Sequence, residues 1–247
     1  MHSLLKIFLT GMLVSFLGSL PLGTLNIAAM QISVSDGIYA AILFSIGSLT
    51  AEIIYVRLSL VAMDWVRKQE RIFRILEWVT LVVVLALAAA SFYAAVHPSN
   101  GKNIILSSNM PKLLLGFTMS VVNPVQIPFW FGWSTVLFTK KILLPRNDHY
   151  NIYIIGIGIG TFLGNLLFIF GGQIIADKIN NNQHILNWII GGIFTLTALL
   201  QLWRMWRKKA TAHQLDHPEE VTKRIEEQMD RIEEGIGKIT HKDKHPG

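Results

Sequence analysis

The chain of 247 residues contains no cysteine. This absence excludes a disulfide framework, a thiolate metal site and a cysteine redox pair. Charged residues are also scarce, at 15% of the chain, whereas a soluble globular domain has about 25%. Hydrophobic residues make up 51% and are arranged in long runs. Few charges and long apolar runs are typical of a membrane protein.

Six apolar segments are long enough to cross the hydrocarbon core of a bilayer, which takes about 20 helical residues. They lie at residues 4–32, 37–63, 73–96, 112–138, 150–176 and 184–206. The first follows a short, weakly basic N-terminus and is too long for the apolar core of a signal peptide, so we expect it to be retained. The sequence therefore predicts a polytopic, all-α membrane protein.

Lysine and arginine in short loops predict the orientation of the spans. Most of them flank the spans on one side: Lys6, Arg67, Lys68, Arg71, Arg74, Lys140, Lys141, Arg146, Arg204, Arg207, Lys208 and Lys209. The other side has Lys102, Lys112 and Lys178. We therefore expect a multi-pass protein of the inner cell membrane with both termini in the cytoplasm. Because the basic residues flank spans rather than form a stripe, the net charge of +6 does not indicate nucleic-acid binding.

A three-helix pattern occurs twice in the sequence. Residues 47–55 (GSLTAEIIY) resemble residues 160–168 (GTFLGNLLF), and residues 75–80 (ILEWVT) resemble residues 185–190 (ILNWII). Three spans per copy is an odd number, so the second copy must be inverted in the membrane. The predicted parts are a first three-helix repeat at 1–96, an extracytoplasmic connecting loop at 97–111, a second three-helix repeat at 112–206 and a charged cytosolic tail at 207–247.

Each copy begins with an apolar helix that is interrupted by proline, at Pro21 and at Pro124. Proline removes a backbone hydrogen bond, and lipid cannot satisfy the groups that are freed. A helix that restarts after such a break points N–H groups and partial positive charge into the protein, where a carboxylate can bind. One break alone would be a plain proline kink, but two at matching places favour a binding site. The candidate substrate-binding residues beside the breaks are Pro21, Gly23, Asn26, Asn123, Pro124 and Gln126.

Glu52 lies near the middle of the second span, where a charge costs about 3 kcal/mol and should face the bundle interior or water. We interpret it as a site for a substrate amine or a coupling proton. The structural alternative is a neutral Glu52 bonded to a neighbouring helix. Asn165 occupies the equivalent position in the second copy and can bond the substrate but cannot titrate. Glu77 in the first copy and Asn187 in the second are likewise an acid and an amide at matching positions. They lie nearer the interface, where we expect Glu77 to pair with Arg74.

The glycine-rich run at residues 156–160 resembles a nucleotide-binding loop in its glycine spacing. No strand precedes it and the run is apolar throughout, so the sequence does not indicate a nucleotide site. Gly156, Gly160 and Gly164 recur every four residues and predict a face for close helix packing. This face could pack within one chain or between two copies, so the sequence leaves a homo-oligomer open.

Apolar residues in the tail recur at steps of four and three: Val221, Ile225, Met229, Ile232, Ile236 and Ile239. This spacing predicts an amphipathic cytosolic helix that lies on the membrane or packs on a neighbour. A dedicated coiled-coil or regulatory module is the alternative. His213 and His217 are also four residues apart, but two ligands alone do not indicate a metal site. We expect neither a metal nor a cofactor.

The ordered set of motifs over residues 1–206 resembles the lysine-exporter (LysE-type) translocator superfamily. That family has a Gly/Pro-rich break in its first span, then a small-residue helix with an acid, then an Asn-Pro break in its fourth span. This chain has PLG at 21–23, GSLTAE at 47–52 and NP at 123–124. It lacks the usual second proline of the first break, and it has Glu52 where many members have aspartate.

The resemblance implies export of amino acids or related small solutes, driven by an ion gradient. We therefore predict a secondary active exporter rather than an enzyme, working by proton antiport with Glu52 as the proton-coupling residue. The amino acid would lie between the two broken spans, with its carboxylate near Gly23 and Gln126 and its amine near Glu52 and Asn165. A divalent-cation exporter of the same superfamily and a non-transporting scaffold that presents the tail helix are the alternatives.

Overall fold

The computed structural model describes residues 4–20, 23–61, 70–97, 106, 109–123, 125–178, 183–206, 219–220 and 222–231. Within these ranges the fold is all-helical, and no strand occurs. The helices are α1 (Leu4–Ser19), α2 (Thr24–Asp36), α3 (Ile38–Val61), α4 (Glu70–Val96), α5 (Lys112–Val121), α6 (Gln126–Thr139), α7 (Asn147–Lys178) and α8 (Gln183–Trp206). A further helix, the tail helix, covers the described residues 219–220 and 222–231.

Four straight helices are long and apolar enough to span a membrane, namely α3, α7, α8 and the part of α4 from Glu77. Two further spans are broken: α1 and α2 meet at an angle of 74°, and α5 and α6 meet at 68°. The chain is therefore a multi-pass membrane protein with four to six spans, six if each bent pair counts as one. Large apolar side chains such as Val82, Ile174 and Leu199 are more than half exposed, as expected for a surface that faces lipid.

A one-residue connection joins the first bent pair to the next span. Gly37 has φ of 94°, a conformation in the left-handed region that favours glycine. Its N–H donates to the carbonyl of Ser33 at 3.1 Å, which ends α2. Because the chain reverses in so short a space, α2 and α3 are packed neighbours, as the short connection in the sequence predicts.

The first helix of each bent pair packs against a long helix of the other half of the chain: α1 lies along α7, and α5 lies along α3. Glycine permits both crossings. A Cβ atom on Gly160 would collide with the backbone of Met12 in α1, and one on Gly47 would collide with the backbone of Leu113 in α5. The predicted glycine face of α7 is confirmed as a packing face, and it is used within one chain.

The buried apolar side chains form two clusters. The first cluster joins α2, the start of α3, α4, α5, Ile169 of α7 and α8. The second cluster joins α1, the end of α3, α6, the start of α7 and the tail helix. Ile225 and Met229 of the tail helix are buried there, and Lys140 pairs with Asp230 at 2.7 Å. Of the two placements that the sequence allows, the tail helix therefore packs on a neighbour.

Replacing Met229 with lysine should release the tail helix, because it would put a charge into the second apolar cluster. We expect trypsin to cleave after Arg224 and Arg231 about tenfold faster in the variant, since a buried methionine contributes about 1.5–3 kcal/mol. Gln228→Lys is the matched control, because Gln228 is exposed and the substitution adds the same charge and the same cleavage site. Equal digestion of the two variants would show that the contact does not hold the tail.

Candidate functional site

A cavity of about 380 Å³ lies where the two bent pairs meet. Six of the eight predicted site residues line it: Gly23, Asn26, Glu52, Asn123, Gln126 and Asn165. The other two, Pro21 and Pro124, lie outside the described residues. The structure thus brings together, around one space, residues from four helices and two breaks that are far apart in the sequence.

Two helices begin at the wall of this cavity. Gly23 is the N-cap of α2 and Val125 the N-cap of α6, and neither N-cap side chain bonds its helix. The N–H of Val125 itself donates to Oδ1 of Asn123 at 3.3 Å. The first residues of each helix, including Thr24 and Gln126, line the cavity. The first turn of a helix has N–H groups without intrahelical partners and carries partial positive charge. Both starts can therefore donate hydrogen bonds to a carboxylate.

The carbonyl groups that end the preceding helices are satisfied by side chains. The amide nitrogen of Asn26 donates to the carbonyl of Ser19 at the end of α1. At the second break, the hydroxyl of Tyr55 donates to the carbonyl of Val121, and the hydroxyl of Thr80 donates to the carbonyl of Val122. Because these donors come from α3 and α4, the second break is stabilised by neighbouring helices rather than by lipid.

Replacing Thr80 with valine should lower the free energy of unfolding by about 1–3 kcal/mol, the cost of leaving a buried carbonyl without a partner. The measurement is the unfolding transition of the purified protein in detergent. Thr195→Val is the control, since the hydroxyl of Thr195 bonds the carbonyl of Gly191 within its own helix and its loss should change stability by less than about 0.5 kcal/mol. Equal destabilisation of both variants would contradict this role for Thr80.

Glu52 is 8% exposed and lies in the cavity wall at the centre of a small polar network. The hydroxyl of Thr161 and the indole N–H of Trp130 are its hydrogen-bond partners. Thr161 also bonds the hydroxyl of Ser15. Glu52 is therefore tied to α1, α6 and α7, and at the same time it lines the cavity. The structure combines features of both interpretations, since the carboxyl group contacts neighbouring helices and is placed where a ligand would lie.

Asn165 lies one turn beyond Thr161 on α7 and is 5% exposed. Its position in the cavity wall matches the position of Glu52 on α3. Ser48 and Thr161 are a second matching pair, and both also line the cavity. Neither hydroxyl group is among the site residues predicted from the sequence. Their signal was present, because both directly follow the first glycine of the repeated segment.

Glu77, which the sequence places near the interface, is 4% exposed and lines the cavity. Its pairing with Arg74 stays a prediction. The side chain of Arg74 lies outside the described part of the chain, whereas Arg204 of α8 lines the same cavity. Gln201 donates to the backbone carbonyl of Glu77 at 2.9 Å. Thus the start of α4 and the end of α8 form one end of the cavity wall.

A bundle of membrane helices in which two broken helices meet at a cavity that contains buried polar side chains is typical of secondary transporters. The family model of the LysE type translocators matches residues 16–204, and the chain belongs to this family. Its members are transporters that export small solutes rather than enzymes. The matched region contains the whole cavity except Ser15 and Met205, and the tail helix lies beyond it. No curated protein and no solved structure matches the chain.

Proposed function

We propose that the protein is a secondary active exporter of amino acids or related small solutes that works by proton antiport. The observation that carries this proposal is the convergence of two helix N-termini and the buried carboxyl group of Glu52 on the same cavity. The volume of about 380 Å³ is at the lower end of the range of small-molecule sites, about 300–1,000 Å³. It suits a small solute rather than a peptide.

The charges of the cavity are complementary to an amino acid. The starts of α2 and α6, near Gly23 and Gln126, would bind the carboxylate. Glu52 and Asn165 would bind the amine from the opposite wall. The side-chain oxygen Oε1 of Gln126 has no hydrogen-bond partner within the described ranges, which supports its availability to a ligand donor. Pro21, Asn123 and Pro124 would keep the two helices interrupted at the site.

Proton coupling is assigned to Glu52 because a carboxyl group can bind a substrate ammonium group when ionised and can carry a proton when neutral. Substrate and proton would then compete for one group, so that the carrier exchanges one for the other. Asn165, the matching residue, would supply the neutral amide partner. Thr161 and Trp130 would hold the carboxyl group in place in both states.

We further propose that the six spans form two inverted repeats in the inner membrane with both termini in the cytoplasm. The reciprocal packing of α1 on α7 and of α5 on α3 supports this arrangement, since inverted repeats exchange equivalent contacts. The tail helix supports the sidedness, because it pairs with Lys140 in one of the predicted cytoplasmic loops.

The proposal can be tested by efflux from cells that are loaded with amino acids as dipeptides. Cells that express the protein should release particular amino acids faster than cells with an empty vector. Dissipating the proton gradient should remove the difference. Equal release across the whole panel would exclude amino-acid export.

A divalent-cation exporter is the second candidate, and it is favoured by one observation: Glu77 lines the same cavity as Glu52. Two carboxyl groups in one cavity could attract a hard cation, which prefers oxygen ligands. Expression would then raise the metal tolerance of the cells and leave amino-acid release unchanged. This pair of results would replace the first proposal.

A further inference from the structure

Gln31 is a buried amide on α2 that does not line the cavity. Its side chain is 1% exposed. Its nitrogen Nε2 donates to Oδ1 of Asn187 in α8 at 3.0 Å and to Oγ of Ser91 in α4 at 3.4 Å. Its oxygen Oε1 has no hydrogen-bond partner among the residues that the structure describes. This one side chain therefore connects α2 to both α4 and α8.

The two sides of α2 are packed in different ways. On the α7 side the contact is extensive: Gly172 faces Met30, and the hydroxyl of Ser33 donates to the carbonyl of Ile169 at 2.9 Å. Gln173 of α7 also donates to Ser33. On the α8 side the contacts are fewer. The junction of α2 with α4 and α8 is therefore the weaker one, and Gln31 provides its polar contacts.

This junction lies between the cavity and the extracytoplasmic end that the sequence predicts. Along α2, Asn26 is in the cavity wall, Gln31 follows, and Asp36 pairs with Lys112 at 2.9 Å. The lining of the cavity also includes Glu77 and Arg204, near the predicted cytoplasmic ends of α4 and α8. Gln31 therefore lies between the cavity and the Asp36–Lys112 pair, on the side that the sequence predicts to be extracytoplasmic.

The repeat adds an independent comparison. Asn187 and Ser91 correspond in the repeat to Glu77 and Gln201. At the predicted extracytoplasmic end, Gln31 bonds both Asn187 and Ser91. When Pro21 is aligned with Pro124, the counterpart of Gln31 is Ser134, whose buried hydroxyl has no partner within the described part of the chain. Within the described residues, α2 is therefore bonded to α4 and α8 through Gln31, whereas α6 makes no such bond through Ser134, as expected when only one of two symmetric gates is closed.

We propose that Gln31 closes the extracytoplasmic gate of the transport pathway by bonding α2 to α4 and α8. Release of the solute to the outside requires that its bonds to Asn187 and Ser91 break. Gln31 is then a positioning residue, because it acts on access to the site and does not touch the solute. The inference rests on the proposed transport function, but its test needs no knowledge of the solute.

The absence of cysteine makes the gate measurable, because a single introduced cysteine is the only thiol of the chain. Ser48→Cys places it in the cavity wall. A membrane-impermeant thiol reagent should label it in inverted vesicles and only slowly in spheroplasts. A cysteine at the exposed Arg146, in a predicted cytoplasmic loop, reports which side the reagent reaches. Labelling of Ser48→Cys mainly from outside would overturn the proposal.

When Gln31→Leu is combined with Ser48→Cys, the cysteine should be labelled from outside about fivefold faster, the shift expected from losing about one buried hydrogen bond. Gln173→Leu is the matched control, because it removes the same amide from the α7 side of α2. Asn187→Ala tests the gate from α8 if Gln31→Leu does not fold. Unchanged labelling in the gate variant, or an equal rise in Gln173→Leu, would overturn the proposal. Failure of amino-acid efflux in the wild-type protein would refute the proposed function alone.

Discussion

Replacing Glu52 with glutamine should reduce proton-driven efflux about 10- to 100-fold, the range expected from losing a charged hydrogen-bonding partner of about 1.5–3 kcal/mol. Glutamine has nearly the same shape, and its side-chain oxygen can still accept a hydrogen bond from Thr161 or Trp130. It cannot titrate or pair with an ammonium group. The variant should therefore fold and insert, yet exchange solute without coupling to the proton gradient.

The experiment compares efflux with and without an imposed proton gradient, at matched amounts of inserted protein. Glu77→Gln is the control, since Glu77 lines the same cavity but lies at its α4–α8 end. We expect this second variant to keep a gradient-dependent rate, because the proposal assigns proton coupling to Glu52 and not to Glu77. If Glu52→Gln kept wild-type gradient dependence, the proposed antiport mechanism would be wrong.

Much of the fold could be predicted because its signals are local. Apolar runs that are long enough to span a membrane predict the straight helices. Proline predicts the two breaks, and each break adjoins a bend in the structure. Six of the candidate site residues meet at one cavity because helix restarts and buried polar groups have few other places in a membrane protein. Gly160 could likewise be assigned to packing, since spacing by four residues is visible in sequence.

The partners of buried side chains could not be predicted, because they depend on which helices approach one another. Nothing near Gln31 in the sequence indicates Asn187, which is on another helix. Trp130 has the pattern of an ordinary core aromatic, yet its indole bonds Glu52. The sequence gives no sign that Gln201 of α8 bonds the backbone carbonyl of Glu77 in α4. In each case the missing information was tertiary.

For the tail helix, too, the local structure could be predicted from the sequence and the tertiary contacts could not. The spacing of Ile225 and Met229 predicted an amphipathic helix, and both residues are buried. The surface that buries them, formed by α1, α3, α6 and α7, could not be identified from the pattern. Since the family match ends at residue 204, the tail helix is an element of this chain rather than of the matched family region.

The second large effect is expected from Gly160→Ala. The added Cβ would collide with the carbonyl oxygen of Met12 and lie 3.0 Å from the backbone nitrogen of Phe16. Backbone atoms cannot rotate away as a side chain can, so α1 and α7 would have to separate. Overpacking of this kind costs about 1–3 kcal/mol or more. We expect a lower unfolding temperature in detergent and a smaller yield of folded protein.

Gly171→Ala in the same helix is the control for this substitution, because a Cβ at Gly171 meets nothing within 4 Å. It should be neutral or stabilising by about 0.5–1 kcal/mol, since alanine favours the helix. Gly47→Ala tests the equivalent crossing of α3 on α5. If the two crossings are related by an inverted repeat, Gly47→Ala and Gly160→Ala should destabilise the protein to a similar extent. A variant at Gly160 as stable as the one at Gly171 would show that α1 and α7 do not pack this closely.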